Sequence, residues 1–144
     1  MPDRDLTGAK LESLRRCLDR IVSRTPDDPE ALCSNYDTQD IIALNLQRAV
    51  QLCVDIGSRI IGEYGWNAPE TMAGVFPVLA RHGVITTDLA DRLQRAVGFR
   101  NISVHEYREV DWYRVYRIIT EDLKDFREFG RAVLTASRAG DQAK

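Results

Sequence analysis

Residues 37–62, DTQDIIALNLQRAVQLCVDIGSRIIG, decide the fold. Ile42, Leu46, Ala49, Cys53, Ile56 and Ile60 recur at intervals of three and four, the period of an α-helix that buries one stripe. Asp37 or Thr38 is the expected N-cap, and the helix is expected to run to about Gly62. Ile41 and Leu44 lie on flanking faces with Arg48 and Asp55. Apolar residues beyond one stripe imply more than one packing partner, which hints at a subunit interface beside the core. Arg48 and Asp55, seven apart, read as a surface salt bridge through neighbouring turns.

Working outward, Leu11, Leu14, Leu18 and Ile21 give residues 6–24 the same helical period. Lys10, Arg15, Arg16 and Arg20 fall mostly off that stripe and read first as a solvated basic face. Pro26 and Pro29 mark residues 25–35 as a loop. On the other side Gly62, Gly65, Asn67 and Pro69 end the long helix. Pro69 suits the first turn of a short third helix, with Val75, Phe76, Val78 and Leu79 inward and Gly83 as its stop. His82, just before that glycine, suits a capping role at the helix C-terminus. Thr86 or Thr87 caps a fourth helix with Leu89, Leu93, Ala96 and Val97 on its core face. Asp111 caps a fifth, whose buried stripe is Val115, Ile119, Leu123, Phe126, Phe129 and Val133. Trp112, Tyr113 and Tyr116 read as a core aromatic cluster rather than a base-stacking surface. Residues 138–144 are small and polar and are expected to fray. No alternating strand run appears. The expected fold is all-α, a single domain over residues 1–144: an antiparallel helical bundle of four long helices and one short.

Composition narrows the function. A chain of 144 residues with 44% hydrophobic and 29% charged residues is an ordinary globular domain with a real core. Its net charge of -2 excludes a surface that is basic throughout, so any nucleic-acid contact needs a local patch. Cys17, Cys33 and Cys53 lack metal-site spacing and are odd in number, so reduced thiols in the cytoplasm are expected. Residues 1–5, MPDRD, lack the basic start and apolar run of a signal peptide, so none is expected, and no apolar run reaches the ~20 residues of a membrane span.

Chemistry concentrates at residues 100–107, RNISVHEY. On residue types alone, Arg100, His105 and Tyr107 within one helical stretch are ordinary structural residues. The spacing R-x4-H-x-Y, with Asn101 directly after the arginine, resembles HepT-like toxins of the HEPN (higher eukaryotes and prokaryotes nucleotide-binding) superfamily. Leu89-Ala90 and the run Gly98-Phe99-Arg100-Asn101 are similar to that family too, as is the order of helices over residues 6–136. The resemblance implies a homodimeric, metal-independent endoribonuclease without a cofactor, the toxin of a toxin–antitoxin pair. It makes Arg100 and His105 catalytic and Asn101 a supporting residue. It also implies an MntA-type minimal nucleotidyltransferase as antitoxin partner, in a hetero-oligomer, with Tyr107 as the acceptor of transferred AMP. Two alternatives stay open: a catalytically silent HEPN subunit that binds nucleotide or partner, and a plain helical dimerisation protein.

The residues themselves constrain that mechanism. On one ideal helix Arg100 and His105 point about 140° apart, so they do not converge. Either the helix ends between Ser103 and Tyr107, or a two-fold axis passes beside the motif so that two subunits share a cleft. Asn101 and His105, four apart, are neighbours, and Asn101 can set the imidazole tautomer. Residues 92–117 carry six arginines against three acids, a local charge of +3 in a chain of -2. Histidine suits proton transfer at neutral pH, and the arginine fork matches phosphate oxygens.

Overall fold

The computed structural model describes residues 4–105 and 110–142, with side chains placed over 6–98 and 110–138. Within them the chain is an antiparallel helical bundle without strands. Helix α1 spans Arg4–Arg24, α2 Pro29–Ser34, α3 Tyr36–Tyr64, α4 Val75–Arg81 and α5 Thr87–His105. The last long element is α6 (Trp112–Arg117), a π-helical turn (Ile118–Asp122) and α7 (Leu123–Gln142) in direct succession. None of these helices is long and apolar enough to cross a membrane.

Helix α3 is the axis. It packs on α1, α2, α4, α5 and α7, and every member of its expected stripe from Ile42 to Ile60 is buried. Burial extends further, to Ala43, Val50, Val54, Gly57 and Ile61. These residues fill the faces turned to α4 and α5. A side chain at Gly57 would collide with Val75 and press on Leu79, so the glycine lets α4 lie close. Much of the added apolar surface of α3 is thus covered by the chain's own helices, whereas the flanking Ile41 is half-buried and Leu44 is exposed. Leu14, Leu18 and Ile21 of α1, Leu89 and Leu93 of α5, and Phe126 and Phe129 of α7 complete the core. Each such side chain contributes about 1.5–3 kcal/mol by leaving water.

Local chemistry moves several boundaries away from the expected ones. Residues 29–34 are helix, not loop. Pro29 stands in the first turn, where its missing N–H costs nothing, and Asp28 Oδ1 accepts from Ala31 N at 2.8 Å. The cap of α3 is Asn35, whose Oδ1 accepts from Thr38 N at 3.0 Å, rather than Asp37 or Thr38. Its stop is Gly65 at φ 68, so Gly62 lies inside the helix. Pro69 precedes α4 by several residues and does not begin it, whereas Gly83 at φ 78 follows its end as expected. Two short helices thus replace the single one foreseen. Helix α7 carries on to Gln142, into the stretch expected to fray.

Side-chain pairings were also redrawn. Asp55 does not meet Arg48. It takes a hydrogen bond from Gln51 Nε2 at 2.8 Å and lies 3.8 Å from Lys10 Nζ of α1. Seven residues along a helix are about 10.5 Å, too far for a direct bond. Trp112 and Tyr116 pack against the core, and Tyr116 Oη donates to Pro26 O at 3.0 Å. Tyr113 departs from the expected cluster, with 55% of its surface exposed.

Candidate functional site

Helix α5 positions the motif. Thr86 Oγ1 accepts from Leu89 N at 3.1 Å and caps it, and Asp88 sits in its first turn where the dipole favours an anion. Leu89, Ala90, Leu93 and Val97 anchor it to the core. The helix then runs unbroken through Arg100 and Asn101 to His105. The backbone from Arg100 to His105 therefore advances about 7.5 Å along one axis. Helix α5 reaches His105, inside the span Ser103 to Tyr107 where one of the two arrangements expects its end, and residues 106–109 lie outside the described residues. The side chains of Arg100, Asn101 and His105, and all of Tyr107, lie outside the described residues.

Beside the same helix is a cleft of about 330 Å3. Its floor is apolar: Leu46 and Val50 of α3, Leu93 and Ala96 of α5, Ile118 of the π turn and Phe126 of α7. Its walls carry Arg92, Arg95, Arg114 and Arg117, four of the six arginines in the basic segment, together with Asp122 and Asp125. Sequence reasoning counted these arginines without bringing them together. The fold does so by setting α6 and the π turn across the cleft from α5, so that both sides line it.

The arginines are not equivalent. Arg92 spans three acids: its Nη1 reaches Asp88 at 2.5 Å, its Nη2 reaches Glu128 at 3.1 Å, and its Nε lies 3.0 Å from Asp125 Oδ1. The last contact is an ion pair without hydrogen-bond geometry. Asp125 is buried, and that burial raises its pKa. Arg92 pulls the other way, while Asp122 and Glu128 add to the rise. Arg92 is thus a strut tying α5 to α7. Arg117 keeps only a loose contact with Glu121, 3.9 Å away. Arg95 makes no ion pair among the described residues and is exposed. It offers its guanidinium to an anion at little cost.

The π turn was not foreseen. Its one trace in the sequence is the spacing Val115, Ile119, Leu123, two steps of four in a row before the threes resume. A regular helix would rotate such residues off the core, and the wider turn returns them. His82 lies elsewhere. It caps α4, and its ring stacks on Trp66 at 3.7 Å and 4°, with Tyr64 next at 4.9 Å. Helix α5 starts beside it, so His82 is about 27 Å of helix away from His105.

A family model described as ribonuclease HepT-like matches residues 14–133, which takes in the whole core, the cleft and the motif. The chain belongs to the ribonuclease HepT-like family. The mRNA nuclease HepT of Shewanella oneidensis is 33% identical over 125 residues, covering 87% of this chain and 93% of that protein. The tRNA nuclease HepT of Aphanizomenon flos-aquae is 26% identical, covering 86% and 84%. Among solved structures, the tri-AMPylated Shewanella oneidensis HEPN toxin in complex with MNT antitoxin superposes with a TM-score of 0.86 at 31% identity, over 94% of this chain and 99% of that one. The HepT-like architecture thus spans nearly the full chain in sequence and in shape.

Proposed function

We propose that this chain is the toxin of a toxin–antitoxin pair, a metal-independent endoribonuclease of the cytoplasm held in check by AMP transfer from a nucleotidyltransferase antitoxin. The observation that carries this reading is the R-x4-H-x-Y stretch that begins in the last turns of α5, in a chain matched along almost its whole length by nucleases named HepT.

The chemistry needs few groups. A base takes the proton of a ribose 2′-hydroxyl, and that oxygen attacks the adjacent phosphorus. The bond from phosphorus to the 5′-oxygen breaks as an acid gives that oxygen a proton. The products are a 2′,3′-cyclic phosphate and a 5′-hydroxyl. His105 is the proton-transfer residue, Arg100 holds the phosphate oxygens as charge builds, and Asn101 orients the imidazole. An unbroken helix sets Arg100 and His105 about 140° apart, so one motif does not close on itself. A two-fold homodimer solves this by facing two motifs across one cleft, one histidine serving as acid and the other as base. Antitoxin molecules join that dimer in a larger complex. AMP attached to Tyr107 places a phosphodiester anion near Arg100 and a purine where an RNA base would lie.

Two measurements test this reading. Incubation with the partner and ATP should place AMP on Tyr107 by mass spectrometry, and Tyr107→Phe should stay toxic beside its antitoxin. An adduct on Tyr113 or Tyr116, or full neutralisation of Tyr107→Phe, would refute the assignment. Sedimentation should show a dimer at micromolar concentration, and a monomer would remove the shared cleft.

A further inference from the structure

The outer face of α3 is left bare over its N-terminal half. Ile41 is half-buried and Leu44 is 46% exposed. One exposed leucine is ordinary on a soluble surface. What sets this one apart is the charge around it. Positions 37, 40, 41, 44 and 48 are spaced at three and four and so form one strip along the helix. Asp37 and Asp40 are exposed on the N-terminal side of Leu44, and Arg48 is exposed on its C-terminal side. Arg20 of α1 is exposed too and shares a groove with Arg48. None of these four charges makes an ion pair among the described residues. The face thus has an acidic end and a basic end, with an apolar patch between them.

That pattern is complementary to itself. A patch that meets its own copy about a two-fold axis is matched against its own sequence in reverse. Asp40 and Arg48 stand four residues to either side of Leu44, about 6 Å along the helix each way. With the axis at Leu44, the α3 helices of two subunits lie antiparallel, and Asp40 faces Arg48 of the partner subunit, twice over. A second copy is the occupant for which the two ends must match in charge, and here they do. The place of the strip agrees. Leu46 and Val50 of α3 share the floor of the α5 cleft with Leu93 and Ala96 of α5. The two helices run antiparallel, so the α5 backbone from Ala96 to His105 continues alongside the N-terminal half of α3. The strip and the motif therefore lie at the same end of the bundle.

We propose that the outer face of α3 around Leu44 is the homodimer surface, an antiparallel α3–α3 contact in which Asp40 pairs with Arg48 of the partner subunit and Arg20 strengthens the basic end. This deepens the ribonuclease reading and rests on its shared cleft for the second copy as occupant. The contact holds the two motif helices on neighbouring subunits, and the cleft is incomplete without it.

The test is analytical ultracentrifugation of the full chain with a charge exchange inside it. Asp40→Arg and Arg48→Asp each set like charges against one another across the axis, and each should weaken dimerisation about ten-fold. A chain carrying both regains opposite charges at both contacts, and its dissociation constant should return to within about three-fold of wild type. Leu44→Glu should be a monomer at micromolar concentration with unchanged circular dichroism, and should lose RNA cleavage along with the dimer. A dimer that survives Leu44→Glu would overturn the surface, and loss of antitoxin binding by that surviving dimer would reassign the face to the antitoxin. Single reversals that weaken the dimer without rescue by the pair would overturn it as well. A wild-type dimer that obeys the charge exchange but never cleaves RNA would sink the ribonuclease reading while leaving the surface standing.

Discussion

The two arginine-bearing depressions of this bundle are built on opposite principles. Beside α5, Arg92 is tied to Asp88, Asp125 and Glu128, over a floor in which Leu46, Val50, Leu93 and Phe126 are buried core. Between α1 and α3, a groove of about 480 Å3 holds Arg20 and Arg48, which make no ion pair among the described residues, over half-buried Leu52. A guanidinium held by three carboxylates has spent its charge on architecture. One with no acidic partner keeps its field for a ligand. The α5 cleft thus keeps Arg92 as a strut and leaves Arg95 exposed beside it. The α1–α3 groove instead leaves both of its unpaired cations exposed.

The largest difference should appear in the floors. Phe126, 2% exposed, belongs to both the α5 cleft and the core, and Phe126→Ala should cost about 3–5 kcal/mol in urea unfolding. Leu52→Ala in the other groove should cost about 1 kcal/mol. Equal losses would show that both depressions are structural.

Next come the arginines. Arg92→Ala strips a buried carboxylate of its cation. Because Arg92 is partly exposed, the loss should be about 1–3 kcal/mol, below that of a fully buried pair. Arg48→Ala should change stability by less than about 0.5 kcal/mol. Reversed magnitudes would invert the assignment of strut and unpaired surface cation.

The smallest effect is in pH dependence. Burial first, and then Asp122 and Glu128, make Asp125 hold its proton more tightly folded than unfolded, against the pull of Arg92. A carboxyl with a raised folded pKa contributes stability below that pKa, and the contribution is lost as pH climbs through it. Asp125→Asn should therefore gain relative to wild type as pH rises from the ordinary aspartate value of 3.8 toward neutrality. A flat difference between the two unfolding curves would remove Asp125 as a titrating member of the cleft.

How much of this was legible in the sequence follows from range. The stripe of α3, the Thr86 cap and the Asp111 cap are local, and each was readable from spacing and residue type. Asp111 Oδ1 does accept from Tyr113 N at 3.1 Å and Arg114 N at 3.3 Å. Helix α2 was missed because Pro29 was weighed as a breaker, although the same ring geometry favours a first turn once Asp28 stands before it. The Arg48–Asp55 pair failed because the competing partner, Lys10, is distant in sequence. Both depressions are tertiary: no spacing rule places Arg20 opposite Arg48, or Arg95 beside Arg117. The motif was the reverse case, a short local pattern whose chemical meaning came from family likeness and not from geometry.

One measurement bears most directly on the central claim that Arg100 and His105 make this bundle a ribonuclease. Purified wild-type protein, His105→Ala and Arg100→Ala are each incubated with RNA in the presence of a chelator, and the new ends are identified. The account predicts cleavage by wild type alone, leaving 2′,3′-cyclic phosphate and 5′-hydroxyl ends, with all three proteins giving the same helical circular dichroism. Full cleavage by His105→Ala with an unchanged spectrum would contradict it.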